Sequence, residues 1–295
     1  MKLSELGEER LLRKLLPHLP SNSAVVLGAG DDCAVVRFSK EKDLLLKTDC
    51  VVEKVHFRSD AKPSAVGWKA MARPLSDFAA MAGVPQFALV TLIAPAETTL
   101  AWTQELYRGL AKAARRFSVA IVGGETSGSN GPITVSVSLT GVVEKDRWIS
   151  RSGGKEGDQL FVTGILGGSQ RGHHLRFTPR LMEARWLAAN FRPHAMMDLS
   201  DGLGADLPRL ARASRLGFEV TSTAIPRNRG CTVGEAISDG EDFELLFALP
   251  AREREKLQDA WKKKFPSLPL SCIGKLTAKS KARNSKLPSG YVHFQ

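Results

Sequence analysis

Cysteine is scarce in this sequence, and no CxxC pair occurs among the four residues, Cys33, Cys50, Cys231 and Cys272. The spacing excludes a zinc site built from paired cysteines and a scaffold held by disulfides. Long apolar runs are also lacking, since none approaches the roughly 18–20 residues that a membrane-spanning helix needs. The stretch Met1–Glu5 does not have the basic-then-apolar layout of a signal peptide. We therefore expect a protein of the reducing cytoplasm that does not associate with membranes.

The common nucleotide-binding and acyl-transfer motifs are absent too. There is no GxxxxGK(S/T) loop, no kinase HRD or DFG set and no GxSxG elbow. Gly28–Cys33 begins like GxGxxG but has no third glycine. If this protein uses ATP, it must bind the nucleotide on a different scaffold.

Acidic residues are sparse towards the C-terminal end of the sequence. The net charge is +11, and residues 252–295 carry 11 basic and 3 acidic side chains, a local net charge of +8. A nucleic-acid-binding patch has this character, but so has a solvated helix face followed by a basic tail. No helix-turn-helix, zinc-finger or aromatic RNA-binding signature accompanies the charge. We favour the solvated surface, expect no nucleic-acid partner, and assign no contact to the basic segment 262–286.

Length and composition predict two domains. The 295 residues, 43% of them hydrophobic, are enough to bury a core in each. Strand-like runs alternate with glycine turns and amphipathic helices in both halves, and a polar, glycine-rich stretch separates them at 144–158. We predict an α/β (α+β) two-domain fold, with an N-terminal domain over 1–145 and a C-terminal α/β domain over 146–295.

Three local expectations follow from the pattern. A helix is expected over 4–16, and Pro74 is expected to separate helical stretches at 66–73 and 77–82. The strand that begins at Val119 is expected to end before Gly123-Gly124.

Acidic residues cluster where strands end in glycine turns or where helices begin. The six clusters contain Asp31-Asp32, Asp49, Asp77, Glu125, Asp198 with Asp201, and Glu241-Asp242. A single acid at such a place is usually a cap or turn residue. Six of them indicate a shared role, because converging carboxylates repel one another unless cations hold them. Oxygen ligands favour Mg²⁺, Ca²⁺ or Mn²⁺, and nearby glycines let backbone approach phosphate. The sequence therefore predicts metal-bridged phosphate binding.

These motifs, in this order, resemble the thiamine-monophosphate kinase family of the aminoimidazole ribonucleotide synthetase superfamily. The similarity covers about residues 5–295, and the pairing of TDxxVExxHF with LSDxAAM is specific to this kinase family. The segments that carry it are Gly28–Ala34, Thr48–Phe57, Leu75–Pro85, Val122–Thr126, Arg151–Asp158, Val162–Gly164, Met197–Leu203, Asp239–Leu245 and Gly290–Phe294.

The resemblance implies a reaction and an assembly. ATP donates its γ-phosphoryl group directly to the phosphate of thiamine monophosphate, which gives thiamine diphosphate and ADP in the last step of thiamine diphosphate biosynthesis. It implies that the N-terminal domain, 1–145, binds ATP and Mg²⁺ and pairs into a homodimer with the ATP site near the interface, and that the C-terminal domain, 146–295, completes the active site. Several Mg²⁺ ions take part, with K⁺ as a further candidate. A phosphate monoester, with a second pKa of about 6, is already largely ionised near pH 7. We therefore predict no general base.

The resemblance also assigns roles residue by residue. The metal ligands are Asp31, Asp32, Thr48, Asp49, Asp77, Glu125, Asp198 and Asp201. The residues expected to bind ATP are Gly123, Gly124, Arg151 and Ser200, and those expected to face thiamine monophosphate are His56, Glu241 and Tyr291. Arg151 suits a bidentate contact with phosphate, Glu241 could meet the cationic vitamin, and Tyr291 could stack on its rings.

Several positions depart from the family pattern. Glu125 stands where the family has aspartate, and Mg²⁺, which demands tight octahedral geometry, is sensitive to one added methylene. Arg73-Pro74 replaces the usual Val-Asn, and Lys47 occupies a position that is often small and polar. The charge of Lys47 could displace a cation or contact phosphate. These departures bear on the catalytic rate.

Three alternatives remain at this stage. One is another ATP-using enzyme of the same superfamily, although the ending Val292–Gln295 lacks the reactive cysteine of its selenophosphate and hydrogenase-maturation members. A second is a weakly active or inactive kinase-like binder of ATP or thiamine diphosphate, which the departures at Lys47, Arg73 and Glu125 favour. A third is a nucleic-acid-binding protein that uses the basic tail.

Overall fold

The structure, a computed structural model, describes residues 3–279, 287–288 and 290. It begins with two short helices, α1 (Leu3–Leu6) and α2 (Glu8–Leu15), and a 3₁₀ turn at Leu16–His18. The single helix expected over 4–16 is wrong, because Gly7 between α1 and α2 has φ of +69°. Among the helices of the described residues, none is both long enough and apolar enough to cross a membrane.

The first half of the chain forms a six-stranded sheet. Its strands are β1 (Val25–Leu27), β2 (Ala34–Arg37), β3 (Lys42–Val52), β4 (Val84–Ala94), β5 (Ala120–Gly128) and β6 (Thr134–Glu144). They lie in the order β1-β2-β3-β6-β4-β5. All neighbours are antiparallel except β4 and β5, which run parallel. Helix α4 (Leu100–Arg116) makes that parallel crossover, and helix α3 (Pro63–Ala80) packs against it and against β3 and β6.

Helix α3 runs without interruption through Pro74, so the predicted break there is wrong. Proline removes one backbone hydrogen bond and crowds the preceding turn, which costs about 3 kcal/mol in an ordinary helix interior. Here both sides of Pro74 are anchored by buried side chains, among them Met71, Leu75 and Phe78. Packing of the helix on the sheet outweighs the local cost and carries Ser76 and Asp77 into the interior.

The second half forms a five-stranded antiparallel sheet. Its strands are β7 (Gln159–Thr163), β8 (Ala195–Asp198), β9 (Gly217–Val220), β10 (Leu245–Leu249) and β11 (Leu270–Thr277), in the order β8-β10-β7-β11-β9. The helices are α5 (Leu181–Asn190), α6 (Leu203–Ala213), α7 (Val233–Ser238) and α8 (Arg254–Lys264). Short 3₁₀ turns lie at Ser169–Arg171, His173–Leu175, Ser222–Ala224 and Ala251–Glu253. This mixed architecture confirms the α/β fold class.

The hydrophobic core joins the two sheets through α3. One cluster of buried side chains includes Phe78 of α3 together with Phe177, Phe243 and Phe247 from the second half. The rings of Phe177 and Phe243 stack with their centroids 3.9 Å apart. A second cluster lies between the five-stranded sheet and α6 and includes Leu203, Leu207 and Leu246. Helix α3 is therefore the element on which loops of both halves converge, whereas the division at residue 145 stays a prediction.

Candidate active site

Three buried carboxylates from distant parts of the chain meet beside α3. Asp32 follows β1, Asp77 lies near the end of α3, and Asp198 is the last residue of β8. Each offers an oxygen within 4.8 Å of the others. Within the described part of the chain, the Oδ2 atom of Asp32 is buried and has no hydrogen-bond partner. An unpaired buried carboxylate oxygen is costly, so this group of acids is suited to receive a cation.

Protein cations and a hydroxyl hold one oxygen of each of these three acids. The Arg151 guanidinium donates to Oδ1 of Asp32 at 2.6 Å, and Lys47 Nζ lies 2.8 Å from Oδ1 of Asp77. The Ser76 hydroxyl donates to Oδ2 of Asp198 at 2.6 Å. Burial opposes the charge of Lys47, but the carboxylates of Asp77 and Asp49 outweigh it and raise the Lys47 pKa. Lys47 therefore remains charged at neutral pH.

The neighbouring acids are also held by arginine side chains or by backbone N–H groups. Arg73 of α3 donates to both oxygens of Asp49, at 3.3 and 3.4 Å, and Arg209 of α6 pairs with Asp201. The carboxylate of Asp31 accepts the backbone N–H of Asp32 at 3.0 Å and that of Arg151 at 3.2 Å. The loop after β1 is thereby tied to the start of the second half.

Burial and the charges of neighbouring acids raise the pKa values of several of these carboxyl groups. Burial, followed by the charge of Asp32, raises the pKa of Asp198 to about 6 and that of Asp31 to about 6. Burial also raises the pKa of Asp77, although Lys47 opposes the shift. A cation bound among these carboxylates would stabilise their ionised forms.

Four of these acids, Asp49, Asp77, Asp198 and Asp201, line a cleft of about 480 Å³, while Asp31 and Asp32 lie behind its wall beside Arg151. Its walls come from α2, β3, α3, α6 and the loops that follow β1 and β8. The lining residues include Gly30, Lys47, Asp49, Arg73, Asp77, Arg151, Asp198, Ser200, Asp201 and Arg209. Of the residues that the sequence assigned to metal or ATP, the structure places Asp49, Asp77, Arg151, Asp198, Ser200 and Asp201 on this cleft.

A smaller cavity of about 70 Å³ adjoins the cleft and contains two of the predicted substrate residues, His56 and Glu241. The two spaces share Arg73, Ser200, Asp201 and Phe243 as lining residues. Glu241 has φ of +64° and donates its backbone N–H to Ser200 at 2.7 Å, so its conformation is fixed by the loop after β8. His56 accepts the backbone N–H of Val52 on Nδ1 at 3.0 Å.

Lys69, which is fully buried in α3, is not among the site residues that the sequence predicted. Its Nζ lies 2.6 Å from Oε1 of Glu241 and donates to the backbone carbonyl of His56 at 2.5 Å. It thus connects the two substrate residues. Burial lowers the Lys69 pKa to about 8, against the opposing charge of Glu241. A lone charge within the apolar run Val66–Ala72 is the signal that could have identified it.

Four other assigned residues lie away from the cleft. Side chains alternate between the faces of a strand, so Thr48 points away from Lys47 and Asp49, and its hydroxyl lies 3.1 Å from that of Ser138. Strand β5 does not end at the glycines, as the sequence predicted, but continues to Gly128. Gly123, Gly124 and Glu125 are exposed within it, with Glu125 opposite Thr91. Tyr291 lies outside the described residues.

The continuation of β5 depends on Gly124. A Cβ at this position would lie 1.8 Å from the carbonyl oxygen of Val90, and φ is +156°. Only glycine permits this close approach between the parallel strands β4 and β5. This close approach accounts for a glycine at position 124, and no contact with ATP is needed to explain it.

Comparison with known proteins places this arrangement in a family. Residues 30–143 match the family described as AIR synthase related protein, N-terminal domain, and residues 143–283 match the corresponding C-terminal domain. The thiamine-monophosphate kinase of Rhodopirellula baltica is 38% identical and covers 91% of this chain and 92% of its own. That of Aquifex aeolicus is 34% identical and covers 85% and 88%.

Solved structures agree with these relatives. One described as "AaThiL complexed with AMPPCP and TMP" superposes with a TM-score of 0.84 at 31% identity and covers 99% of both chains. The hydrogenase maturation protein HypE of E. coli, at 17% identity and a TM-score of 0.69 over 92% of each chain, shares the fold. The chain therefore belongs to the AIR synthase related proteins and, among them, to the thiamine-monophosphate kinase family.

Proposed function

We propose that this chain transfers the γ-phosphoryl group of ATP to the phosphate of thiamine monophosphate, giving thiamine diphosphate and ADP. The observation that carries the proposal is the junction of two spaces. A cleft with a group of buried carboxylates opens beside a small cavity lined by His56 and Glu241. The family relatives are named for this reaction, and the related structure holds an ATP analogue and TMP.

The carboxylate group fits Mg²⁺. Asp32, Asp77 and Asp198 supply only oxygen, the donor that Mg²⁺ prefers, and the unpartnered Oδ2 of Asp32 is available to a cation. Two unit charges 4 Å apart interact by about 4 kcal/mol at an effective dielectric of 20, so donor and acceptor phosphates repel strongly. Bound Mg²⁺ would reduce that repulsion and align the phosphates.

The chain's own residues position the two substrates. Arg151 pairs with Asp32 and lines the cleft, as does Ser200, which supports the proposal that both contact the phosphates of ATP. Glu241 presents a carboxylate to the cationic ring of the vitamin, while Lys69 and Gln170 hold its two oxygens at 2.6 and 3.0 Å. No residue needs to remove a proton, because the acceptor phosphate is already ionised.

The homodimer is proposed for the exposed face of the six-stranded sheet. Phe87 and Leu89 of β4 and Val122 of β5 are each at least half exposed there. The register aligns Leu46, Thr140 and Phe87 in one row across this face. Apolar patches of this kind are typical of protein interfaces. Leu89→Lys should convert a dimer into a monomer in light scattering, and an unchanged mass would contradict this interface.

A K⁺ ion, a cytoplasmic location and a role for Tyr291 stay predictions.

The test is a direct assay. Purified protein is mixed with thiamine monophosphate, ATP and Mg²⁺, and thiamine diphosphate and ADP are quantified beside samples with free thiamine or without Mg²⁺. Equimolar products that depend on the metal and on thiamine monophosphate are expected. Absence of thiamine diphosphate would overturn the kinase.

A non-catalytic binder is the second candidate, and one observation favours it. Arginine and lysine side chains already pair with four of the acids that would hold catalytic metal ions, Asp32, Asp49, Asp77 and Asp201. If the assay yields no product while calorimetry still detects ATP or thiamine diphosphate, this candidate replaces the kinase.

A further inference from the structure

Two protein cations occupy one side of the acid cleft. Lys47 Nζ lies 2.8 Å from Asp77, and Arg73 Nη2 lies 3.3 Å from Asp49. Lys47 and Asp49 share the inner face of β3, while Arg73 and Asp77 are one turn apart on the same face of α3. The strand and the helix each contribute one cation and one acid, and each cation pairs with the acid of the other element.

The other side of the cleft is different. There Asp198 accepts the Ser76 hydroxyl, a neutral donor, and next to it Oδ2 of Asp32 is buried without a partner among the residues that the structure describes. A divalent ion can bind on this side without breaking an ion pair of Lys47 or Arg73. An ion between Asp49 and Asp77 would have to displace both cations, whose side chains are largely buried.

The charge of the whole cleft leads to the same conclusion. Five acidic and five basic side chains line it, the acids being Glu8, Asp49, Asp77, Asp198 and Asp201 and the bases Lys47, Arg73, Arg151, Arg209 and Arg212. The wall is therefore neutral without a metal ion, and the negative charge that a divalent ion would meet lies behind it, at Asp31 and Asp32 beside Arg151 and at Asp206 beside Arg209.

We propose that Lys47 and Arg73 take the place of a divalent ion between Asp49 and Asp77. The cleft then holds one divalent ion before substrates bind, at Asp32, Asp77 and Asp198, and presents two fixed protein cations to phosphate. Arg73 lines both the cleft and the smaller cavity, so its planar guanidinium lies between the donor and acceptor spaces and suits a bidentate phosphate contact. This role for phosphate rests on the proposed function, but the metal count does not.

The experiment counts bound ions on the full-length protein without substrates. Mn²⁺, a paramagnetic probe for the Mg²⁺ site, is titrated, and free Mn²⁺ is followed by electron paramagnetic resonance. The wild type should bind one tight ion per chain. Asp32→Asn should abolish it, and Asp49→Asn should leave the count at one, because Arg73 already holds that carboxylate.

The decisive variant is Lys47→Gln combined with Arg73→Gln, which should bind two tight ions per chain. Lys275→Gln with Arg252→Gln is the matched control. It removes the same two side-chain types from surface pairs with Glu219 and Glu253, outside the cleft. The control should keep one ion.

Three results would each overturn the proposal. The wild type could bind two or more tight ions, the Asp49→Asn variant could lose its ion, or a folded Lys47/Arg73 double variant could bind only one. If the double variant does not fold, the wild-type and Asp49→Asn counts decide the matter. Because no nucleotide or vitamin is present, a protein that fails the kinase assay can still give the expected counts, and an active kinase can fail them.

Discussion

The cleft and the cavity beside it hold their carboxylates in opposite ways. Beside the cleft, Asp32 keeps one buried oxygen that has no partner among the described residues. In the cavity, both oxygens of Glu241 are held, one by Lys69, with Arg73 3.8 Å away, and the other by Gln170. The first arrangement is incomplete without a cation, while the second is a carboxylate of fixed orientation that is already ion-paired.

The difference indicates two kinds of ligand for two adjoining spaces. A carboxylate group with a free oxygen suits a metal ion that arrives with phosphate. A pinned carboxylate suits an organic cation, which pairs with it by charge and shape rather than by coordination. Arg73, Ser200, Asp201 and Phe243 border both spaces, so the two ligands would meet at these residues. The predictions that follow separate the two sides.

The largest effect is expected on the cleft side. Asp198→Asn removes one charged ligand while keeping an oxygen for the Ser76 hydroxyl, so the fold should survive. Loss of metal-assisted stabilisation should lower kcat/KM by roughly 10²–10³-fold. Steady-state kinetics check this against Asp158→Asn, a buried carboxylate that holds Lys155 and His194 outside the cleft. Equal losses in the two variants would mean that the effect is structural.

A smaller effect is expected on the cavity side. Lys69→Met removes the ammonium that holds Glu241 and the His56 carbonyl. Hydrogen bonds to charged groups contribute about 1.5–3 kcal/mol, so KM for thiamine monophosphate should rise roughly tenfold or more. KM for ATP serves as the internal control and should change little. A rise in both constants would show that Lys69 supports the whole site rather than one side.

The same residue predicts a pH dependence. Burial lowers the Lys69 pKa to about 8, so most of the ammonium is lost between pH 7 and 9. KM for thiamine monophosphate should rise over this interval as Glu241 loses its ion partner. An unfolded lysine, with an ordinary pKa of 10.5, keeps its proton there. The unfolded state then binds more protons, and this group's contribution to the free energy of unfolding increases with pH. A Lys69→Met enzyme that kept the same rise in KM would exclude Lys69 as its cause.

The sequence predicts most strands and helices because hydrophobic periodicity and glycine turns are local signals. It does not predict that α3 continues through Pro74, because packing against β3, β6 and α4 decides that helix. It also fails at Gly7, where one positive φ divides the N-terminal helix. In each case the deciding interaction is either distant in the chain or confined to a single residue.

The candidate site, like the fold, depends on packing that local sequence signals do not encode. Motif order predicted that Asp77 and Asp198, more than 100 residues apart, belong to one site, and both residues line the cleft. It could not indicate the face of a strand on which each residue lies, because a motif has no geometry. Thr48 and Asp49 were therefore assigned to one metal site although adjacent residues of β3 point to opposite faces. The ion pairs of Lys47 and Arg73 depend on how β3 packs against α3, which no local pattern encodes.

The smallest effect is expected from Thr48→Ala, a change outside both the cleft and the cavity. Its hydroxyl lies beside that of Ser138 on the sheet face proposed for the homodimer, and removal of this one small contact should change stability by less than about 0.5 kcal/mol. Activity should stay within about twofold of the wild type, as it should for Ser138→Ala, the partner hydroxyl. A tenfold loss in Thr48→Ala alone would bring this face into the reaction. Within one chain the sheet separates Thr48 from the cleft, so such a loss would mean that the second copy of the proposed homodimer, packed on this face, completes the site.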